Sequence, residues 1–153
     1  MDVEEVKRSG LKLMEESKAA YLTTIDPDGF PITRAMFNLR NKDQFPEFSE
    51  FFENQQNQFT IYISTNTSSS KVTHLDKNPK MCVYFCDAED FKGFMLGGSV
   101  EIIDDMKLKK TFWLDWWTRY YSEGVEDPDY TLLRLEPKNA RYYHKLNHAK
   151  IEL

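Results

Sequence analysis

Residues 64–71, Ser-Thr-Asn-Thr-Ser-Ser-Ser-Lys, form the densest set of anion-binding groups in the chain. They follow the alternating apolar run 59–63, which is typical of a strand, and precede residues 71–75, which are typical of a short helix. The first N–H groups of a helix have no partner within it and lie at the positive end of its dipole. Ser69 and Ser70 add hydroxyl donors and Lys71 adds a positive charge, so the segment has the groups to bind a phosphate monoester without a metal ion.

The same segment also fits a simpler interpretation, a serine-rich surface loop that caps the following helix. It lacks the glycine patterns GxxxxGK[ST] and GxGxxG, so neither a P-loop nor a Rossmann turn explains it. The residues by themselves leave the phosphate site and the capping loop both open.

A second candidate binding surface lies on the predicted strand 31–39. Alternation places Thr33, Ala35, Phe37 and Leu39 on one face and Arg34, Met36 and Asn38 on the other. We expect the first face to line a barrel interior. The second face combines a cation, a thioether and an amide, and we expect a ligand or a second subunit to cover it, with a solvated face as the alternative.

The remaining pattern predicts a mainly β protein with flanking helices. An amphipathic helix is expected over 2–18 and an aromatic-rich helix over 106–121, with further strands at 20–25, 81–86, 94–103, 130–135 and 141–144. The turn 26–29 predicts a hairpin, Gly97-Gly98 predicts a bend inside a strand, and the long loop 40–58 is expected to hold short helical turns over 46–52 and to border a site. The aromatic helix has two apolar faces, for which a partner chain and its own core are alternatives. Short antiparallel strands with added helices indicate one closed or split β-barrel domain spanning 1–153.

Composition excludes several classes of function. The net charge of −5 argues against nucleic acid or an anionic membrane as a partner. No apolar run reaches the ~18 residues of a membrane span and no signal peptide is visible, so we expect a cytoplasmic protein. Cys82 and Cys86 lie ~13 Å apart along one predicted strand, too far for a disulfide, and are expected to be reduced. His144 and His148 are four residues apart and would share one face of a helical tail, but no third metal ligand lies near them in sequence.

The order of these motifs resembles the pyridoxamine 5′-phosphate oxidase-like split barrels, and within them the general stress protein branch. The resemblance rests on segments 29–34, 64–71, 78–79, 98–102, 133–137 and 140–143. It implies a six-stranded antiparallel barrel that forms a homodimer, with FMN in the groove between subunits. Carried over by position, the cofactor-binding residues are Arg34, Ala35 and Met36 along the flavin, Ser64 and Thr65 beside it, and Ser69, Ser70 and Lys71 at its phosphate.

Departures from the family pattern restrict the implied activity. Ser70 stands where the oxidases place an arginine beside the phosphate lysine, which removes a bidentate contact. Leu39 stands where the oxidases have a lysine that touches their substrate, and Gly93 lies near the position of their flavin-contacting glutamine. The arginine and histidine residues that bind the oxidase substrate have no counterpart in this chain. We therefore do not expect pyridoxamine phosphate oxidase activity. Two hypotheses remain: a flavin oxidoreductase that uses NAD(P)H and a small acceptor, or a module that binds flavin, haem or a deazaflavin without turnover.

Overall fold

The computed structural model describes residues 1–153 and contains eight strands and four α-helices. In chain order these are α1 (Val3–Glu16), β1 (Ala19–Ile25), β2 (Pro31–Phe37), α2 (Ser49–Glu53), β3 (Ile61–Asn66), α3 (Ser70–Lys77), β4 (Lys80–Asp87), β5 (Lys92–Ile103), α4 (Met106–Thr111), β6 (Tyr130–Leu135), β7 (Asn139–His144) and β8 (Asn147–Glu152). Three short 3-10 helices cover Pro46–Phe48, Asp115–Arg119 and Gly124–Glu126. None of the helices is both long enough and apolar enough to span a lipid bilayer.

All strand pairs are antiparallel, and the sheet follows the path β2-β1-β4-β5-β6-β3. The two end strands, β2 and β3, share no ladder, so the curled sheet is a split barrel, and the predicted fold class is confirmed. β7 pairs with β5 and β8 pairs with β7, which adds two strands to the six of the path. Of these eight strands, β8 is the one that the sequence does not predict.

β5 is the strand that joins the two parts of the barrel. Its first part pairs with β4 and β7, and from Val100 onward it pairs with β6. Gly98 lies at this change of partners, where a Cβ atom would come within 3.0 Å of the Glu136 carbonyl oxygen. The predicted bend at the paired glycines is thus a close backbone approach that excludes side chains.

Two hydrophobic clusters form the core. The larger cluster lies between the sheet and α1, and α1 contributes Val6, Leu13 and Met14 to it. The second is largely aromatic and includes Phe48 and Phe52 from the 40–58 loop. This loop forms the short helical turns that the sequence predicts, and those turns bury its phenylalanines.

The predicted continuous helix over 106–121 is wrong. α4 ends at Thr111, Leu114 is extended, and a 3-10 helix follows over Asp115–Arg119. Phe112, Trp117 and Tyr121 are all buried in the aromatic cluster. The break at Leu114 lets these side chains converge on one core, which explains why the chain leaves the helical path.

The predicted orientation of β2 is also wrong. Thr33, Ala35 and Phe37, which we expected inside the barrel, are exposed, whereas Arg34 and Met36 are half-buried. Met36 packs against the larger core cluster. The long stems of arginine and methionine can bury apolar area that alanine or threonine cannot supply, and this favours the observed orientation.

Asn38 follows β2 and is buried rather than ligand-covered or solvated. Its amide donates to the carbonyl oxygens of Met14 and Ser17, both at 2.8 Å, and so satisfies acceptors at the end of α1. Leu39 is buried as predicted, but in the aromatic cluster beyond the end of β2.

The C-terminal residues form a hairpin and not a helical tail. His144 lies opposite Asn147, and His148 lies opposite Tyr143. The Nε2 atom of His144 is 3.3 Å from a carboxylate oxygen of Asp90. The structure contains no group of three His, Cys, Asp or Glu side chains that could hold a metal ion. The two cysteines are free thiols, as predicted.

Candidate functional site

A cavity of about 530 Å³ lies where the ends of β2 and β3 approach the aromatic segment 115–121. Its lining residues are Lys18, Ala19, Ala35, Met36, Phe37, Gln44, Ser64, Thr65, Asn66, Lys71, Trp117, Tyr120 and Tyr121. The cavity thus brings together five of the residues proposed from sequence: Ala35, Met36, Ser64, Thr65 and Lys71. The other three, Arg34, Ser69 and Ser70, lie outside its lining but within two residues of a lining residue in sequence.

Lys71 lines one end of the cavity, and Arg34, outside the lining, is near enough for its charge to act on Lys71. The Lys71 ammonium donates to the Thr65 hydroxyl at 2.8 Å, and neither Lys71 nor Arg34 has a carboxylate within salt-bridge distance. Burial lowers the pKa of Lys71, and the positive charge of Arg34 lowers it further. Two neighbouring cations without a counterion make this end of the cavity attractive to an anion.

Arg34 is held in place by the strand beside it. Its Nη1 donates to the Thr24 hydroxyl at 2.8 Å and to the Ile32 carbonyl oxygen at 2.8 Å. Thr24 is fully buried, and its hydroxyl also lies 3.0 Å from Nδ1 of His74. The Thr24 hydroxyl therefore accepts from Arg34 and lies within hydrogen-bond distance of the His74 ring.

The start of α3 carries unpaired donors. Ser69 occupies the N-cap position, yet its side chain caps no N–H group, and its Oγ is buried without a hydrogen-bond partner. The backbone N–H groups of Ser70 and Lys71 also lack an acceptor in the chain. Such groups at a helix start are the usual protein ligands of a phosphate. The capping interpretation of the segment therefore does not describe the Ser69 side chain.

The loop before α3 is fixed by Asp129, which precedes β6. One Asp129 carboxylate oxygen accepts from the Asn66 amide at 2.7 Å, and the other accepts from the Ser68 N–H at 2.8 Å. These hydrogen bonds hold the pKa of Asp129 below its usual value. β3 extends through Asn66, so Ser64 and Thr65 lie on the strand and not in the turn that the sequence suggests.

Sequence reasoning did not include the aromatic wall of the cavity. Trp117, Tyr120 and Tyr121 line it, and the expected helix over 106–121 hid their common position. Gln44 comes from the 40–58 loop, which we expected to border a site, and Lys18 precedes β1. Two features of the sequence indicate that these segments could border a site: the density of aromatic residues over 112–121 and the length of the 40–58 loop.

The cavity contains few groups for acid–base chemistry. No Asp, Glu, His or Cys side chain lines it, although the chain carries 25 acidic residues. Burial raises the pKa of Tyr121 to about 12, so this phenol stays protonated at neutral pH. The arrangement can bind and orient an anionic, partly apolar molecule, and any redox chemistry has to come from that molecule.

Comparison with known proteins agrees with this geometry. Residues 9–144 match the family described as pyridoxamine 5′-phosphate oxidase. A protein from Clostridium acetobutylicum related to general stress protein 26 of B. subtilis, of the pyridoxinephosphate oxidase family, is 32% identical, with a TM-score of 0.78 and coverage of 100% of this chain and 97% of that one.

Two further solved structures share the fold at lower identity. General stress protein 26 from Bacillus anthracis is 21% identical, with a TM-score of 0.70 and coverage of 96% of this chain and 99% of that one. A heme binding protein from Mycobacterium smegmatis is 12% identical, with a TM-score of 0.65 and coverage of 94% of this chain and 57% of that one. No curated protein matches the chain.

Proposed function

The chain belongs to the pyridoxamine 5′-phosphate oxidase family, and from this premise we propose that it binds FMN and acts as a flavin-dependent oxidoreductase on a small acceptor with NAD(P)H. The working unit is a cytoplasmic homodimer with the flavin at the subunit interface. When bound, the isoalloxazine ring supplies the hydride and electron chemistry.

One observation carries this proposal: the cations of Arg34 and Lys71 lie together without a counterion beside the unpaired donors at the start of α3. The FMN phosphate is a dianion at neutral pH and supplies both the missing charge and the missing acceptors. Ser69, Ser70 and Lys71 would hold the phosphate, with Arg34 as the second cation.

The other proposed residues would orient the rest of the cofactor. Ala35 and Met36 line the cavity beside the cationic end and provide an apolar surface for the flavin. Ser64 and Thr65 provide hydroxyl groups from β3 on the other side. The positions of these residues fit a ligand with one anionic end and one apolar planar part.

Flavin titration of a matched pair of variants tests this assignment. Lys71→Met removes the charge at the proposed phosphate, whereas Lys77→Met removes a charge from the exposed last turn of the same helix. We expect Lys71→Met to raise the Kd for FMN about 10- to 100-fold, the value of a charge-assisted hydrogen bond, and Lys77→Met to leave it unchanged. Riboflavin has the same ring without the phosphate, so its weaker binding should not respond to either change.

The result that contradicts the phosphate site is equal FMN affinity in the wild type and Lys71→Met, measured by quenching of flavin fluorescence. A loss that is the same for FMN and riboflavin would also contradict it, because the lost contact would then be to the ring.

Binding without turnover is a second candidate function. The lack of carboxylate, imidazole and thiol groups in the cavity lining favours it, since the protein offers few groups to move protons to a substrate. FMN-loaded protein should oxidise NADH or NADPH through many turnovers if it is an enzyme, and once or not at all if it is a binding module. A Soret band in the purified protein would instead indicate haem, for which Met36, Tyr120 and Tyr121 are the available axial ligands in the cavity.

A further inference from the structure

The cavity has a second end that the phosphate and the proposed flavin contacts do not use. Phe37, Trp117, Tyr120 and Tyr121 form this aromatic end. Phe37 lies three residues along β2 from Arg34, a backbone separation of ~10 Å. Ring centroids of Phe37 and Trp117 are 6.4 Å apart with nearly parallel planes.

Trp117 lines the cavity and carries a buried polar atom without a partner. Trp117 is 1% exposed, and its indole Nε1 is buried without a hydrogen bond. An indole N–H can only donate, and leaving it unpaired costs about 1–3 kcal/mol. A ligand oxygen in the aromatic end would remove this cost.

The charge of this end is also informative. Lys18 lies at the exposed rim, its carbonyl oxygen accepts from the Gln44 amide at 3.3 Å, and its ammonium forms no salt bridge. No carboxylate lines the cavity in a chain with a net charge of −5. Aromatic walls with a cation at the rim favour a planar ring that carries a negative charge.

We propose that the aromatic end binds a planar aromatic substrate with a ring carbonyl and an anionic substituent, as in a sulfonated or carboxylated quinone. The Trp117 N–H donates to the carbonyl oxygen, the aromatic rings pack against the substrate, and Lys18 attracts the anionic group. This proposal rests on the proposed function, because it places the substrate in the same cavity as the flavin.

Calorimetric titration with two matched probes tests the proposal. Anthraquinone-2-sulfonate carries the ring carbonyls, and anthracene-2-sulfonate has the same three-ring frame and charge without them. We expect FMN-loaded protein to bind the quinone more tightly than the anthracene. Trp117→Phe should weaken quinone binding about tenfold, the value of one hydrogen bond, and leave anthracene binding unchanged.

Trp116→Phe is the control, since Trp116 is the neighbouring tryptophan, is exposed, and does not line the cavity. It should not change either affinity. Lys18→Met should weaken both sulfonates by a similar factor of about three, because it removes only the contact to the anionic group. Tyr120 is exposed at the cavity wall, so Tyr120→Ala tests the aromatic end even if Trp117→Phe fails to fold, and it should weaken both probes.

Three results would overturn the proposal. The first is equal affinity for the two probes in the wild type. The second is a loss of FMN affinity in Trp117→Phe as large as the loss of quinone affinity, since the N–H would then contact the flavin. The third is displacement of the quinone by FMN. Failure of FMN itself to bind is a separate result that overturns the proposed function, and titration of the flavin-free protein with the probes shows which proposal has failed.

Discussion

The Lys71 ammonium lies 2.8 Å from the Thr65 hydroxyl and is near enough to Arg34 for that charge to lower its pKa, and neither cation has a carboxylate within salt-bridge distance. Bringing two like charges together in a half-buried place is unfavourable unless a bound anion compensates. The meeting of β2, β3 and α3 therefore places these two cations where the binding of a phosphate would be favourable.

This pair predicts that FMN binding depends on pH. The pKa of Lys71 is below its usual value, mainly through burial, and a bound phosphate would raise it. Between the lower pKa of the free protein and the higher pKa of the complex, binding takes up a proton, so affinity falls as pH rises. We expect the FMN Kd to increase above the free pKa and to approach the Kd of Lys71→Met.

The measurement is a series of flavin titrations from neutral to alkaline pH, with riboflavin as the reference for titration of the ring itself. The ratio of FMN affinity to riboflavin affinity reports the contribution of the phosphate alone. Lys77→Met should keep the alkaline loss of FMN affinity, and Lys71→Met should lack it. A ratio that stays constant with pH in the wild type would show that Lys71 does not contact the phosphate.

The buried Thr24 hydroxyl predicts a linked effect on stability and binding. Thr24→Val keeps the shape of the side chain but removes the partner of Arg34 and His74. We expect the free energy of unfolding to fall by about 1–3 kcal/mol and FMN affinity to fall several-fold, with riboflavin binding unchanged. Denaturant unfolding and flavin titration measure the two effects.

Thr23→Val is the matched control, because Thr23 is the neighbouring residue on β1 and its hydroxyl bonds only the exposed Thr33. It should change stability by less than about 0.5 kcal/mol and leave FMN affinity unchanged. If Thr24→Val lowered stability without any effect on FMN, the role of Arg34 at the phosphate would be wrong.

The sequence was sufficient to predict seven of the eight strands and the β3–α3 junction, because these depend on local patterns, whereas β8 was not predicted. β6 is an example: the run Tyr130–Leu135 is the strand with the predicted bounds. The orientation of β2 was not predictable in this way, since Arg34 is accommodated by Thr24 on another strand. Alternation shows which residues share a face, but not which face is inside.

The aromatic wall of the cavity depends on a break in a helix that no proline or glycine marks. A continuous helix turns about 100° per residue, so Phe112 and Tyr121 would lie about 180° apart and could not both reach one core. The extended backbone at Leu114 resolves this conflict. Only knowledge of the shared aromatic cluster, which is tertiary information, identifies the break and the three aromatic residues that it brings to the site.

The proposed shared site predicts that FMN stabilises the dimer. If both subunits contact one flavin, linkage requires that FMN raises the dimer fraction and that dimerisation raises FMN affinity equally. Sedimentation velocity at a concentration where flavin-free protein contains both species should show a shift to dimer on saturation with FMN. Lys71→Met at the same FMN concentration should show a smaller shift. An unchanged distribution at saturating FMN would contradict a flavin site shared between subunits.

The contact between α1 and β5 predicts a packing defect. A Cβ atom at Gly10 would lie 2.6 Å from the ring of Phe94, which is fully buried. Gly10→Ala gains about 1 kcal/mol of helix propensity but overfills the core, so we expect net destabilisation of about 1–2 kcal/mol in denaturant unfolding. In a Phe94→Leu background the same change should cost less, because the ring is absent. Equal costs in both backgrounds would show that the ring is not the obstacle.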